Sequence, residues 1–474
     1  MFSFLKRTKP AGGPGVDLPP LMLHSTLSGT LEAFTPLSAK EVKMYNCGPT
    51  VYDYATIGNL RSYIFADTLR RTLDAWRYNV KQVINITDFG HLISDADEGE
   101  DKMTKGLKRE GLALTMKNMR VLAERYAEAF LEDLTSIGVD TKRITFPRAS
   151  AYVPEQIALI STLEQKGYAY VANDGVYFDT KKFAGYGKLG GMNAVEQEAG
   201  ARLEINPEKR NPADFILWKS DNKLGWKSPW GLGFPGWHIE CTAMIFTLLG
   251  KQIDIHTGGI DHISIHHNNE IAQAEAVTGK QFVRYWMHNE FITIESKRIG
   301  KSVGNAITLK SFMDRGFSPR ALRYWYLTGH YRTPMNFTWD ALEGANTALA
   351  RLTRAYLEMK EGELDKEFLQ KFYACIANDL GTAQALALVW QHLPTLNKST
   401  LKKVDEVLGL GFAEARPPKK LAVEPKGELD TLLKERANAR LAKNFTLADE
   451  LRLKIEALGF AVKDGAEGQE ITQK

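Results

Sequence analysis

Residues 43–52 read KMYNCGPTVY, an apolar strand pattern that runs into a Gly-Pro break. A helical pattern covers residues 64–71, and residues 81–88, KQVINITD, form a second apolar strand that ends in polar side chains. Strand, loop and helix in this order predict parallel strands in a doubly wound sheet. Because polar residues gather where these strands end, we expect a ligand site at that edge of the sheet.

Outside this stretch the sequence pattern changes twice. Short strands broken by Gly and Asp between residues 147 and 221 indicate an inserted α+β module, and the sheet pattern resumes at residues 253–256 and near residues 290–295. Beyond Pro319 the chain is helical, with helices predicted at about residues 320–327, 340–360, 366–392 and 400–408. We therefore predict an α/β protein with a Rossmann-like doubly wound parallel-sheet domain, an α+β insertion, an α-helical bundle and a small C-terminal module.

Length and composition narrow the class of protein. A chain of 474 residues is too long for one ordinary core, so about two to four domains are expected. The formal charge of +4 is nearly neutral, so any nucleic-acid surface must be a local patch. Three cysteines cannot build a disulfide framework, and no apolar run approaches the roughly 20 residues of a membrane span. We expect a cytoplasmic protein without a membrane partner.

Four side chains are candidate metal ligands. Cys47 precedes Gly-Pro, Cys241 follows GWHIE, and His266 and Glu270 stand four residues apart, on one face if the segment is helical. Two thiolates, an imidazole and a carboxylate fill a tetrahedral zinc shell. The four positions lack the local spacing of a zinc finger. Spacing alone therefore leaves buried, unliganded cysteines and a solvated helix as the alternative.

Successive blocks of the chain resemble those of cysteinyl-tRNA synthetases, which are class I aminoacyl-tRNA synthetases. These blocks are residues 44–52, MYNCGPTVY; 85–88, NITD; 236–241, GWHIEC; 256–261, HTGGID; and 266–270, HHNNE. Further similar blocks are residues 186–190, 199–204, 214–219 and 440–452. The resemblance covers roughly residues 21–465.

This resemblance implies a reaction and its ligands. The expected activity is ATP-dependent activation of L-cysteine, followed by transfer of the cysteinyl group to the 3′ end of tRNA(Cys). One zinc ion per chain is expected to select the substrate thiolate, held by Cys47, Cys241, His266 and Glu270. The residues implied to line the cysteine pocket are Thr87, Trp237, His256 and Asp261. Trp237 is the residue expected to close over the thiol.

The two ATP signatures of the class are altered in this chain. The usual His-Ile-Gly-His is replaced by Thr56-Ile57-Gly58-Asn59, and Lys-Met-Ser-Lys-Ser by Arg298-Ile299-Gly300-Lys301-Ser302. Asn59 can donate to a phosphate or ribose oxygen, whereas Thr56 cannot become a cation. The resemblance implies catalytic roles for Thr56, Asn59, Arg298 and Lys301. It implies ATP binding, with Mg²⁺, by Gly58, Asn59, Lys301 and Ser302.

The resemblance also divides the chain by role. The predicted segments are a flexible leader at 1–20, the two halves of the catalytic Rossmann domain at 21–145 and 226–295, the insertion at 146–225, a signature loop and stem-contact region at 296–335, a helical anticodon-binding bundle at 336–412 and a C-terminal tRNA-binding module at 426–474.

Two other functions share parts of this pattern. A cysteine ligase of the mycothiol pathway has the same zinc site and activation chemistry but lacks the long C-terminal tRNA module. A degenerate, non-catalytic RNA-binding paralogue is suggested by Thr56 and Gly300, although such a protein has no use for thiol selection. RNA binding without pyrophosphate exchange would favour the paralogue.

Overall fold

The computed structural model describes residues 16–39, 41–89, 102–190, 206–298, 306–416, 427–442, 444–465 and 468–473. The chain divides into two compact units, Met1–Phe412 and Ala413–Lys474. No helix in the described ranges is long and apolar enough to cross a membrane. The boundaries predicted within the first unit stay predictions, as does the leader.

Fourteen α-helices and seventeen β-strands lie in the described ranges. The helices are α1 Ile57–Ala75, α2 Lys102–Arg109, α3 Met116–Ser136, α4 Val153–Gln165, α5 Trp237–Leu248, α6 His266–Thr278, α7 Leu309–Met313, α8 Pro319–Leu327, α9 Trp339–Glu358, α10 Lys366–Ala377, α11 Thr382–His392, α12 Lys398–Leu408, α13 Glu428–Leu441 and α14 Phe445–Ala457. The strands are β1 Met22–Ser25, β2 Thr30–Ala33, β3 Val42–Asn46, β4 Val80–Ile84, β5 Ile144–Thr145, β6 Ala169–Ala172, β7 Gly175–Phe178, β8 Phe215–Ser220, β9 Trp226–Ser228, β10 Gly231–Pro235, β11 Ile253–Gly259, β12 Val283–Asn289, β13 Ile292–Ile294, β14 Lys297–Arg298, β15 Met335–Phe337, β16 Phe460–Gly465 and β17 Gly468–Gln473.

Five parallel strands form the central sheet of the first unit, in the order β12, β11, β3, β4, β5. In the middle, β3 lies beside β11 with Tyr45 opposite His256. The chain leads from β3 to β4 and β5 on one side and from β11 to β12 on the other. The strand order therefore reverses between β3 and β11, where doubly wound folds bind ligands beyond the carboxyl ends of the strands. The predicted doubly wound parallel sheet is confirmed.

One edge strand differs from the prediction. The sequence pattern placed a sheet strand near residues 290–295, but the edge of the central sheet is β12. β13 instead pairs with β14 and β15 in a separate three-stranded sheet. The prediction missed β12 because its polar residues, His288 and Asn289, are themselves buried. Neither an apolar run nor a polar–apolar alternation marks such a strand.

A buried group of charges joins α1 to the helices that follow the sheet. The Asp67 carboxylate, fully buried, lies 3.0 Å from Arg70, 2.6 Å from Arg71 and 2.7 Å from Arg323. Arg323 belongs to α8, and its Nε donates to the carbonyl oxygen of Leu408 at the end of α12, 2.6 Å away. Through Arg323, the Asp67 carboxylate therefore links α1 to α8 and α12.

The helical bundle contains a break that periodicity did not predict. The helix expected over residues 366–392 is divided into α10 and α11, because Asp379 and Leu380 have φ angles of 54° and 57°. Such left-handed conformations are uncommon for residues other than glycine. The Asp379 carboxylate accepts hydrogen bonds from the backbone N–H of His24 at 3.0 Å and the hydroxyl of Tyr331 at 2.7 Å. Contacts distant in sequence thus stabilise the turn.

The insertion is a five-stranded antiparallel sheet in the order β6, β7, β8, β10, β9. Its buried residues Phe178, Leu217 and Trp218 share a core with Ile239 and Cys241 of α5. The α+β insertion predicted from the sequence is confirmed as part of the fold.

The second unit has a core of its own. Helices α13 and α14 and the hairpin of β16 and β17 pack around buried apolar side chains, including Leu432, Leu451, Ile455 and Val462.

Candidate metal centre and active site

The four predicted metal ligands come together at the reversal of the central sheet. Cys47 follows β3, Cys241 lies in α5, and His266 and Glu270 lie one turn apart in α6. One ligand atom from each lies within 4.8 Å of the others, and all four residues are buried. The His266 Nε2 atom is 2.7 Å from Glu270 Oε1 and 3.6 Å from Cys241 Sγ. These residues are called the Cys/Cys/His/Glu cluster below.

The backbone around Cys47 is fixed by a close approach of two strand ends. The N–H of Gly48 donates to Asn85 Oδ1 at 2.7 Å, and the N–H of Cys47 donates to the carbonyl oxygen of Thr257 at 3.1 Å. A Cβ atom at Gly48 would lie 1.5 Å from the carbonyl oxygen of Asn85. Only glycine can therefore follow Cys47 in this turn.

A second, overlapping group of side chains has comparable geometry. Cys47, His256, His267 and Glu270 also have ligand atoms within 4.8 Å of one another. His256 Nε2 is 2.7 Å from Glu270 Oε2, and His267 Nε2 is 3.3 Å from Cys47 Sγ. His267 Nδ1 is in turn 2.7 Å from His288 Nε2. The two groups share Cys47 and Glu270; the first adds a thiol and an imidazole, and the second adds two imidazoles.

The neighbours of His266 and Glu270 orient their ligand atoms. His238 Nδ1 and His266 Nδ1 are 2.9 Å apart, which directs the other ring nitrogen of His266 toward Glu270 and Cys241. His256 holds the second oxygen of Glu270. Metal-binding residues commonly have such outer hydrogen bonds, which fix ring orientation and tautomer.

The electrostatics of the Cys/Cys/His/Glu cluster favour a cation. Burial and the neighbouring Cys241 raise the pKa of the Cys47 thiol, and burial raises the pKa of Cys241. Burial also lowers the pKa of His266 to about 4. Although burial opposes it, His256 and His266 hold the pKa of Glu270 below its ordinary value. A divalent cation would neutralise the buried carboxylate and stabilise both thiolates.

The residues predicted to bind cysteine lie at different distances from the cluster. The Trp237 and His266 rings have centroids 4.2 Å apart, and His256 is hydrogen-bonded to Glu270. The Thr87 hydroxyl donates to Glu240 Oε2 at 2.7 Å, and Glu240 precedes Cys241 in α5. The Asp261 side chain, in the turn after β11, is 57% exposed. The structure therefore brings Trp237 and His256 to the cluster and links Thr87 to it through Glu240.

The first ATP signature forms the N-terminus of α1. Thr56 is the N-cap, and Asn59 Oδ1 accepts from the Thr56 N–H at 2.9 Å and the Thr56 hydroxyl at 2.8 Å. The N–H of Ile57 donates to the carbonyl oxygen of Ile307, which follows the second signature. Within that signature, only the backbone of Arg298 is described, as part of β14. Lys301 and Ser302 lie outside the described residues.

Sequence reasoning missed four histidines around the cluster. His238, His262, His267 and His288 each have rings or nitrogen atoms in contact with a cluster residue or with one another. They come from four separate segments of the chain and have no common spacing. The signal available in the sequence was the number of imidazoles in the blocks around Cys241 and His266.

The first unit has the fold of solved class I synthetases. Mycobacterium tuberculosis methionyl-tRNA synthetase in complex with methionyl-adenylate superposes with a TM-score of 0.56 at 14% identity, over 79% of this chain and 90% of that chain. Residues 33–347 match the family described as the tRNA synthetases class I (C) catalytic domain. The sheet and its reversal are therefore those of a class I aminoacyl-tRNA synthetase.

Comparison of the full chain narrows this class. Residues 425–471 match the Cysteinyl-tRNA ligase anticodon binding domain. Cysteine--tRNA ligase 1 of Burkholderia lata is 45% identical over 464 residues, which cover 95% of this chain and 97% of that protein. Cysteine--tRNA ligase of Treponema denticola is 39% identical over 489 residues, with 94% and 98% covered. The chain belongs to the cysteine--tRNA ligase family, as its sequence blocks indicated.

Proposed function

We propose that this protein activates L-cysteine with ATP and transfers the cysteinyl group to the 3′ end of tRNA(Cys). The observation that carries the proposal is the convergence of Cys47, Cys241, His266 and Glu270 at the sheet reversal of a chain in this family. The buried carboxylate of Glu270 carries a desolvation cost that a bound cation would offset, and two thiols and an imidazole beside it complete a set of metal donors.

The Cys/Cys/His/Glu cluster suits Zn²⁺, because thiolates, imidazole and carboxylate are the donors that tetrahedral zinc takes. The overlapping group offers one thiol instead of two. We therefore assign the metal to the Cys/Cys/His/Glu cluster, with His256 and His238 as its outer partners. Zinc bound there would favour a soft thiolate over the neutral hydroxyl of serine.

The chain's own side chains would bind and orient the amino acid. Trp237 borders the cluster, where its indole would exclude water from the substrate side chain. Thr87 donates its only hydroxyl hydrogen to Glu240, so toward a ligand it can act only as an acceptor, which suits an ammonium group. The exposed carboxylate of Asp261 would add negative charge on the same side.

The N-terminus of α1 would bind ATP. The positive end of the helix dipole favours an anion there, and Gly58 leaves room for close approach of a phosphate. Because the Thr56 N–H can only donate, the oxygen of the Asn59 amide faces the cap and its NH₂ group faces away, toward a ligand. Arg298, Lys301 and Ser302 would complete the site together with Mg²⁺, as the resemblance implies.

The second unit would bind tRNA. It matches an anticodon-binding family, and its helices display basic residues. Arg440 lies over the ring of Phe445 at 5.8 Å, and Phe445 is 57% exposed. An exposed aromatic ring beside a guanidinium group is the arrangement on which splayed bases of RNA stack.

We expect cysteine-dependent exchange of pyrophosphate into ATP by the purified protein. Replacing Lys301 with alanine removes a cation from the developing pyrophosphate, so the Lys301→Ala variant should lose exchange by about 10²- to 10³-fold. The measurement is the exchange rate of both proteins at saturating cysteine. Exchange by the wild type no greater than that of Lys301→Ala would contradict the activity.

Assays of the same purified protein distinguish the proposed activity from the two other functions. A mycothiol-type ligase would show exchange but transfer cysteine to an amino sugar and not to tRNA. A non-catalytic paralogue would bind tRNA and show no exchange. The match of residues 425–471 to an anticodon-binding family weighs against the first, and the intact cluster weighs against the second.

A further inference from the structure

Lys102 lies over the indole ring of Trp237, beside the Cys/Cys/His/Glu cluster. Its Nζ atom is 5.5 Å from the ring centroid. Lys102 is the first residue of α2, which is anchored by the buried side chains of Met103 and Leu107 in a core with Val51. The ammonium group therefore reaches Trp237 from an element that carries none of the four cluster residues.

The position of the Trp237 ring depends on such neighbours. Its backbone is fixed, because a Cβ atom on the preceding Gly236 would lie 2.2 Å from the carbonyl oxygen of Ile216. The side chain is only half-buried, and its ring lies near three histidine rings, with centroids 4.2 Å from His266, 5.2 Å from His238 and 5.8 Å from His262. The Lys102 ammonium adds a contact from outside this histidine group.

We propose that Lys102 is a positioning residue that holds the Trp237 ring against His266 and thereby sets the affinity for the cysteine side chain. This inference rests on the proposed function. A cation over the face of an indole ring changes the equilibrium constant for holding the ring in that position by a factor of about 2 to 30.

A double-mutant cycle between the two residues tests this role. Lys102→Met keeps the length of the side chain and removes its charge. It should raise the KM for cysteine in pyrophosphate exchange about fivefold, with kcat and the KM for ATP changed less than about twofold. In the Trp237→Leu background, which has no aromatic ring for the cation, the same substitution should change the KM for cysteine by less than about twofold, because the two residues act as one unit. Lys102→Arg keeps the cation and should restore the wild-type KM.

Lys105→Met is the matched control, because Lys105 is exposed on the same helix. It removes the same charge and should leave the KM for cysteine at the wild-type value. Acrylamide quenching of tryptophan emission gives a second readout that needs no turnover. Quenching should increase in Lys102→Met, and that increase should be absent when Lys102→Met is made in the Trp237→Leu background.

Two results would overturn the inference. One is a rise in the KM for cysteine from Lys102→Met that is the same in the wild type and in the Trp237→Leu background, or an equal rise from Lys105→Met. The other is unchanged quenching in Lys102→Met. A wild-type protein without cysteine-dependent exchange would overturn the proposed function instead, and the quenching experiment would still decide the contact between Lys102 and Trp237.

Discussion

Replacing Cys241 with serine is expected to abolish metal binding and to reduce cysteine-dependent pyrophosphate exchange by more than about a hundredfold. Losing an outer hydrogen-bond partner of a metal ligand already costs about 10- to 100-fold in affinity or activity, and losing a ligand costs more. Serine keeps the size of the side chain but offers zinc a neutral hydroxyl in place of a soft thiolate. Cys241 is buried, so no solvent ligand can readily replace it.

The control for this variant is Cys375→Ser. Cys375 lies in α10, outside both groups of possible ligands, so its replacement should leave metal content and exchange unchanged. The measurement is zinc per chain by elemental analysis, together with the exchange rate. The experiment also separates the two overlapping groups. If Cys241→Ser keeps one zinc and His267→Gln loses it, the metal lies in the group that contains His267.

Replacing Asp67 with alanine is expected to lower the free energy of unfolding by about 3–5 kcal/mol, the range for removing one partner of a buried ion pair. The loss follows because Arg323 and Arg70, both buried, would keep their charges without the carboxylate. Alanine would also release the link from α1 to α8. The measurement is the urea midpoint of Asp67→Ala against the wild type.

Acidification gives a second check on Asp67. Although burial opposes it, the guanidinium groups of Arg323, Arg71 and Arg70 hold the pKa of Asp67 below its ordinary value. The contribution of Asp67 to the free energy of unfolding is therefore present when the pH is above the unfolded-state pKa. It is lost as the pH falls through the folded-state pKa. The difference in the free energy of unfolding between the wild type and Asp67→Ala should therefore become smaller in strong acid.

A surface ion pair serves as the control for Asp67. Lys310 and Asp314 pair at 2.7 Å but are 76% and 59% exposed, so Asp314→Ala should cost less than about 1 kcal/mol. A comparable loss from Asp67→Ala and Asp314→Ala would contradict the structural role assigned to the buried group.

The parallel sheet could be predicted from sequence because its central strands are apolar and end in polar residues. β3 and β4 follow that rule, whereas β12 contains buried His288 and Asn289 and was therefore missed. The break between α10 and α11 could not be predicted from periodicity. It depends on hydrogen bonds that the Asp379 carboxylate accepts from residues more than 40 positions away.

The candidate site could be predicted only in part. The spacing of Cys47 and Cys241 in the sequence did not predict that they are neighbours, because they become neighbours only when the chain folds and brings the end of β3 close to α5. The resemblance to a family supplied that connection, and the structure places the four side chains within reach of one ion. The outer histidines, including His238 and His267, were missed because each is defined by a partner far away in the chain. The Lys301 loop lies outside the described residues, so its role stays a prediction.

The central claim is that a metal held by the Cys/Cys/His/Glu cluster selects cysteine. The most direct measurement is aminoacylation of tRNA(Cys) with cysteine and with serine, before and after removal of zinc by a chelator and its restoration. We predict charging with cysteine alone, loss of that charging after chelation and recovery when zinc is returned. Charging with cysteine that survives complete removal of the metal, or equal charging with serine, would contradict the account.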